Sequence, residues 1–282
     1  MPRLAPRSVH GPGRPASWVR VSRALLTALL VLGVGGCVTE ENGKPVAKTV
    51  AKPVDPQEVE RLARIHLELA GGYFGRGQSN DALDEVRKAL AAKPDLAAAY
   101  NLRGLVYASL NDDEHALESF RRALQLAAHD GDTHHNYGWF LCQRQRFGEA
   151  DAEFAQALAE PTYRGGSRTM LAQGVCQARS GELAEAERTL SRAYELDPAN
   201  PSTAVNLAEV LYRRGEFERA LFYVRRVNTK EDLASAQTLW LAMRIEHRLG
   251  QDQQVQDTGA RLRSRFPQSR EALLFEKGRF DE

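Results

Sequence analysis

The sequence predicts an all-α chain that folds as a superhelical solenoid of about six helical hairpins with a C-terminal capping helix. The first observation is a 34-residue period from Ala63 to Ser269, in which small residues recur at three fixed positions. The second is that Pro94 and Pro198 fall at the same place in two periods, where each ends a helix. The recurring small residues are Ala82, Ala116, Ala150, Ala186 and Ala220 at one position, Ala89, Ala123, Ala157 and Ala193 at another, and Ala70, Gly104, Gly138, Gly174 and Ala208 at the third.

One period, residues 97–130, indicates why this spacing favours paired helices. Gly104 falls in mid-helix, where glycine costs about 1 kcal/mol relative to alanine. We therefore expect a second helix to approach closely there, at Ala116, with Tyr107 and Phe120 filling the space around the crossing. The pattern resembles the tetratricopeptide repeat, whose 34-residue unit is a helix–turn–helix. Each unit leaves an apolar face uncovered until it stacks on its neighbours, so the resemblance implies a protein-binding array.

The first 36 residues have the pattern of a secretory signal peptide. Five arginines precede the apolar run 24–32, and small residues then lead to Cys37. The apolar run is too short to span a bilayer as a helix. The stretch 34–37 resembles the bacterial lipobox, in which the cysteine is acylated, and the alternative is an ordinary signal with an incidental cysteine. With Val38 next, the resemblance implies a lipoprotein of the outer membrane that faces the periplasm.

Residues 37–56 are expected to form the lipidated N-terminus and a flexible tether. They contain three prolines and several lysines, and no aromatic residue. Removal of residues 1–36, which hold five arginines and no acidic residue, leaves 33 basic against 37 acidic residues. This mildly acidic balance argues against nucleic acid as a partner, because such binding rests on neutralising phosphates.

Residues 57–282 are expected to form the tetratricopeptide-repeat domain. The sixth unit is the most degenerate, since Val255 and Gly259 stand where alanine and an aromatic residue are usual. The tail contains Leu273, Leu274 and Phe275, which favour a final capping helix. The expected units are 63–96, 97–130, 131–164, 167–200, 201–234 and 236–269, followed by a cap over 270–282.

Cys142 and Cys176 remain once Cys37 is assigned to lipid. Each falls on the first helix of its unit, at nearly equivalent positions, and neighbouring first helices lie side by side in a solenoid. An oxidising compartment favours a disulfide between them. Two buried free thiols, packed as small apolar groups, are the alternative.

No catalytic constellation stands out. The sequence lacks His-Glu-x-x-His, a phosphate-binding glycine loop and Gly-x-Ser-x-Gly. His129, His134 and His135 cluster without a cysteine or carboxylate set at ligand spacing, which favours exposed or capping histidines over zinc. We therefore expect a protein that is not an enzyme and has no cofactor, metal or small-molecule substrate.

Several runs together resemble a particular family. They are Asn-Tyr-Gly-Trp-Phe-Leu-Cys at 136–142, Pro-Thr-Tyr at 161–163, the block 239–246 and the run 262–267, together with the Cys142/Cys176 pair. These resemble the type IV pilus biogenesis/stability lipoproteins called PilW or PilF. The resemblance implies a pilotin-like role, in which the protein binds the outer-membrane secretin of the pilus and promotes its localisation and assembly. A scaffold for cell-wall hydrolases or outer-membrane protein assembly is the alternative, and a periplasmic peptidase is a more distant one.

First helices line the concave face of tetratricopeptide arrays, which places an apolar strip across the first three units. The strip consists of Leu67, Phe74, Leu105 and Trp139, with Asn101 beside it. Exposed apolar strips of this kind favour a protein partner, so we expect the secretin contact here. Arg64, Ala108, Asp132 and His135 share the same face, and the later units offer Arg168, Arg179, Arg213, Arg244 and Arg248.

Overall fold

The structure is a computed structural model that describes residues 55–281. The expected signal peptide, Cys37 and nearly all of the tether lie outside the described residues. Within the described range the chain forms thirteen helices and no strand, which confirms the all-α solenoid. The helices are α1 (Pro56–Gly75), α2 (Ser79–Ala92), α3 (Ala97–Ser109), α4 (Asp113–Leu126), α5 (Gly131–Gln143), α6 (Phe147–Ala159), α7 (Gly166–Ser180), α8 (Leu183–Leu196), α9 (Pro201–Arg213), α10 (Phe217–Asn228), α11 (Ala236–Arg248), α12 (Asp252–Arg265) and α13 (Arg270–Glu276).

The helices pair as the period requires, two to each 34-residue unit, and α1 is longer than its counterparts. It has 20 residues and begins at Pro56, ahead of Ala63, where the first unit was expected to begin. The Asp55 carboxylate accepts from the Gln57 backbone N–H at 3.0 Å, and proline suits the first helical position. None of the helices in the described range is long and apolar enough to cross a membrane.

The two helices of a unit cross where the first one carries glycine. A Cβ atom built on Gly104 would lie 2.8 Å from the ring of Phe120, one of the side chains expected to fill this crossing. In the next two units, a Cβ atom on Gly138 would lie 2.9 Å from Phe154, and a Cβ atom on Gly174 would lie 2.6 Å from Leu190. These glycines are therefore what lets a large apolar side chain of the second helix lie against the first.

Units pack mainly through the second helix of one unit and the first helix of the next, and polar contacts also join neighbouring first helices. Asn136 Nδ2 on α5 donates to Asn101 Oδ1 on α3 at 3.1 Å. Two arginines near the ends of first helices donate to carbonyl groups of the preceding first helix: Arg144 to Ala108 at 3.4 Å, and Arg213 to Ala178 at 2.9 Å. The Arg144 guanidinium also forms an ion pair with Asp113 at 2.7 Å. In these two cases the arginine adds a second donor to a carbonyl that already accepts from a backbone N–H at its own helix end.

The carboxyl end is closed by α13, as the sequence predicted. Gly259, a departure from the usual repeat pattern, admits the ring of Phe275, since a Cβ there would lie 2.2 Å from it. Val255 and Leu262 on α12 pack with Phe275 in one buried cluster. Gly259, an irregular residue of the sixth unit, is thus what allows the capping helix α13 to pack against α12.

We expect Gly138→Ala to destabilise the protein, because its methyl group would clash with Phe154 and overpacking costs about 1–3 kcal/mol. The matched control is Gly71→Ala on α1, where a Cβ would meet nothing within 4 Å. That change should stabilise the helix by about 1 kcal/mol. Urea unfolding of both variants measures the difference, and equal stabilities would contradict the steric role of Gly138.

Candidate protein-binding surface

The predicted concave strip is only partly open. Leu67 and Phe74 on α1 are half-buried, and so are Leu105 on α3 and Trp139 on α5. Leu105 and Trp139 pack against the buried cluster that contains Phe120, Phe140 and Phe154. Asn101 is held by Asn136, as described above. Each side chain of the strip is therefore only partly exposed, and its buried part packs against the core and stabilises the helix array.

His135, expected on the same face, is covered by the next unit. Its side chain is 9 % exposed, and its Nδ1 lies 2.9 Å from Thr169 Oγ1 on α7. Burial disfavours the imidazolium, and the nearby Arg168 guanidinium adds repulsion, so the pKa of His135 falls to about 4. This histidine is neutral at physiological pH and belongs to the joint between the third and fourth units.

A second apolar stripe, which was not among the predicted binding residues, lies on α1. Leu62, Ile65 and Leu69 are 38 %, 38 % and 46 % exposed, and their spacing places them on one face of the helix. One and two periods after Ile65 stand Ala99 and Thr133, both fully buried. The repeat period alone could have revealed the stripe, since the first unit has no preceding unit among the described residues to cover these positions.

Several polar side chains of α1 have partners of opposite charge. Arg61 pairs with Glu58 at 2.5 Å on the exposed surface, and Lys93 pairs with Glu60. His66 Nδ1 lies 2.6 Å from Glu85 Oε2 on α2. Hydrogen bonds from Lys88 and then from His66 lower the pKa of the Glu85 carboxyl. The Arg61–Glu58 pair lies beside Leu62, so the apolar stripe has charged neighbours, as the rims of protein contacts do.

Cys142 on α5 and Cys176 on α7 are joined by a disulfide in the structure. Their Cα atoms lie 5.8 Å apart, and both side chains are buried. The Arg179 guanidinium lies 3.9 Å from Cys142 Sγ. The bond links the first helices of the third and fourth units about two helical turns from the His135–Thr169 contact, so the two units are connected at two separate places.

The other two clustered histidines each have an acidic partner. His129 Nδ1 lies 2.8 Å from Glu160, and the His129 side chain is exposed. His134 Nδ1 lies 2.7 Å from Glu153, and this contact raises the pKa of His134 above its ordinary value. Among residues 55–281 no group of three or more His, Cys, Asp or Glu side chains could hold a metal ion.

The arginines of the later units are mostly engaged. Arg168 forms an ion pair with Asp132 at 2.6 Å, while Arg213 donates to a backbone carbonyl. Arg244 and Arg248 on α11 lie over the rings of Tyr212 and Phe217, at 4.6 and 4.8 Å from the centroids. This half of the inner surface is cationic and aromatic, in contrast to the aliphatic α1 stripe.

The comparisons with known proteins agree with this architecture. Family models described as tetratricopeptide repeat match residues 97–130, 141–201 and 177–239. The type IV pilus assembly protein PilF of Pseudomonas aeruginosa is 28 % identical over 254 residues, which cover 90 % of this chain and 98 % of that protein. The crystal structure of PilW, a widely conserved type IV pilus biogenesis factor, is 31 % identical with a TM-score of 0.70, and it covers 76 % of this chain and 97 % of its own. The chain belongs to the PilW family of tetratricopeptide-repeat proteins.

A second solved structure of this family supports the same alignment. The Pseudomonas aeruginosa PilF structure is 25 % identical, with a TM-score of 0.67, and it covers 78 % of this chain and 99 % of its own. Because nearly all of both solved chains is matched, the likeness extends over the whole repeat array rather than over a few generic repeats.

We predict that purified mature protein contains the Cys142–Cys176 disulfide and that reduction destabilises it. Closing a loop of this size stabilises a fold by about 2–4 kcal/mol. Peptide mass mapping without reductant should recover the two cysteines as one cross-linked pair. The control is the double variant Cys142→Ala/Cys176→Ala, whose unfolding should not respond to reductant. Two alkylatable thiols in the unreduced, denatured protein would contradict the prediction.

Proposed function

We propose that this protein is an outer-membrane lipoprotein that binds the type IV pilus secretin and promotes its localisation and assembly, and hence pilus biogenesis. Family membership is the observation that carries the proposal, since the two relatives are described as a pilus biogenesis factor and a pilus assembly protein. Stacked tetratricopeptide units are binding surfaces rather than catalytic sites, which suits an assembly factor.

The secretin contact is assigned to the first three units. The α1 stripe of Leu62, Ile65 and Leu69 supplies exposed aliphatic surface, and monomeric proteins seldom leave such surface contiguous without a use. Leu67, Phe74, Asn101, Leu105 and Trp139 form a separate, half-buried strip on the inner face of the first helices, on another side of α1 from the stripe. An extended or helical segment of the secretin would lie along these positions and bury apolar side chains there.

The lipid anchor is assigned to Cys37. Acyl chains contribute about 0.8 kcal/mol per buried CH₂, so several chains on one cysteine hold a protein stably at a membrane. The residues between Cys37 and α1 can span at most about 60 Å when extended. Such a tether lets the repeats reach secretin protomers in the periplasm while the lipid carries the complex to the outer membrane.

The contact is tested by Leu69→Asp on the exposed α1 stripe. It is also tested by Leu105→Asp or Phe74→Asp on the concave strip. We expect each change to reduce secretin binding at least tenfold in a pull-down, because a carboxylate would be desolvated in an apolar contact. The control is Phe222→Asp on α10, a side chain that is 54 % exposed at the other end of the array. Helical content should be unchanged in Leu69→Asp and in the control.

Two outcomes contradict this assignment. If folded Leu69→Asp and Phe74→Asp variants both bind secretin normally, the contact lies elsewhere on the array. If wild-type protein captures cell-wall hydrolases or outer-membrane assembly factors and no secretin, the alternative scaffold role replaces the proposal.

The anchor is tested by Cys37→Ser. The variant should appear as unprocessed precursor or as soluble protein, because serine offers no thiol for acylation. Fractionation of cells measures this, with the Cys142→Ala/Cys176→Ala variant as a control that keeps the lipidation site. If the outer-membrane fraction contains as much of the Cys37→Ser variant as of the wild-type protein, the lipoprotein assignment is contradicted.

A further inference from the structure

The chain folds back on itself after α13. The helix ends at Glu276, and Gly278 adopts a φ of +63°, a left-handed conformation that suits glycine. The N–H groups of Gly278 and Arg279 donate to the carbonyls of Phe275 and Leu274, at 2.9 and 3.0 Å. This turn directs the last described residues away from α13, and Phe280 comes to lie over α11.

Three side chains of α11 hold Phe280. Its ring stacks on the Trp240 ring, with centroids 5.5 Å apart and planes 14° apart. The ring also stacks on His247, at 4.3 Å and 19°. Arg244 Nε donates to the Phe280 backbone carbonyl at 3.1 Å. These contacts recognise an aromatic side chain and the peptide group attached to it.

The three α11 residues occupy inner-face positions of their unit. Trp240, Arg244 and His247 stand at the fifth, ninth and twelfth places counted from Ala236. The fifth and ninth places of the second unit are Asn101 and Leu105, which belong to the predicted binding strip. Phe280 therefore covers inner-face positions of the sixth unit. The equivalent positions of the second unit belong to the surface that a partner is expected to use.

One polar group at this place is left unsatisfied. The Trp240 side chain is only 6 % exposed, and its Nε1–H is buried with no hydrogen-bond partner in the described part of the chain. Buried donors are normally satisfied. A ligand with an additional carbonyl or carboxylate beside its aromatic ring can supply the acceptor that Phe280 does not.

The charge beside the Phe280 site is positive. The Arg244 and Arg248 guanidinium groups lie over aromatic rings and form no ion pair among residues 55–281. Asp281 and Glu282 follow Phe280 in the sequence, so the segment that occupies the site carries acidic residues directly after its aromatic one. A separate peptide with an aromatic residue followed by an acidic one would match the aromatic and positively charged side chains of the site in the same way.

We infer that Trp240, Arg244 and His247 form a second peptide-binding site, which Phe280 occupies in the free protein. Its ligand class is an extended peptide segment in which an aromatic residue is followed by an acidic residue. The site lies at the opposite end of the array from the proposed secretin contact and does not depend on it. A tethered segment has a local concentration in the millimolar range, so an incoming peptide binds detectably only when it displaces the tail.

The test uses full-length protein and a fluorescently labelled peptide with the sequence of residues 277–282. The Phe280→Ala variant, whose site is vacated, should bind this peptide at least tenfold more tightly than wild type does. A peptide with alanine in place of the phenylalanine is the matched control and should not bind. Adding Arg244→Gln to Phe280→Ala should weaken binding again, because the donor to the backbone carbonyl is lost.

A second variant, Gly278→Val, keeps every contact residue and strains the turn, because a β-branched residue disfavours positive φ. It should also bind the peptide more tightly than wild type. On the Phe280→Ala variant, whose site is vacant, excess peptide should shift the Trp240 indole N–H resonance. Equal peptide binding by wild type and both variants, or an indole resonance of the Phe280→Ala variant that excess peptide leaves unmoved, overturns the inference.

Discussion

In three consecutive units, the absence of a Cβ atom at Gly104, Gly138 and Gly174 sets how closely two helices approach. Phe120, Phe154 and Leu190 fill the space that is left open. That approach fixes the angle of each hairpin, and the angle decides where the next first helix docks. The contacts between Asn101 and Asn136, and the disulfide between α5 and α7, can form only when neighbouring first helices lie side by side.

The same repetition explains why the two ends of the array differ. In the second and third units, the residues equivalent to Ile65, which are Ala99 and Thr133, are buried. At the carboxyl end, Gly259 seats Phe275 and α13 closes the stack. At the amino end, Leu62, Ile65 and Leu69 stay exposed on an elongated α1. This difference between the ends is what supports the proposed partner contact at the first unit.

The sequence allowed the helix pairs, their order and the capping helix to be predicted, because a 34-residue period constrains all of them together. It could not give the exposure of individual residues. His135 and Trp139 share the face predicted for binding, yet Thr169 of the next unit covers His135, and this depends on the angle between units. Nor did the period reveal Phe280 over α11, since that contact follows from one turn at Gly278, after the last unit.

Hydrogen–deuterium exchange on the full-length protein, with and without purified secretin, tests most directly whether the open amino end is the contact surface. Backbone amides exchange slowly where binding suppresses local opening. The account predicts that secretin slows exchange in α1 and α3 and leaves α12 and α13 unchanged. Slower exchange confined to α9–α13, with α1 unaffected, would contradict it.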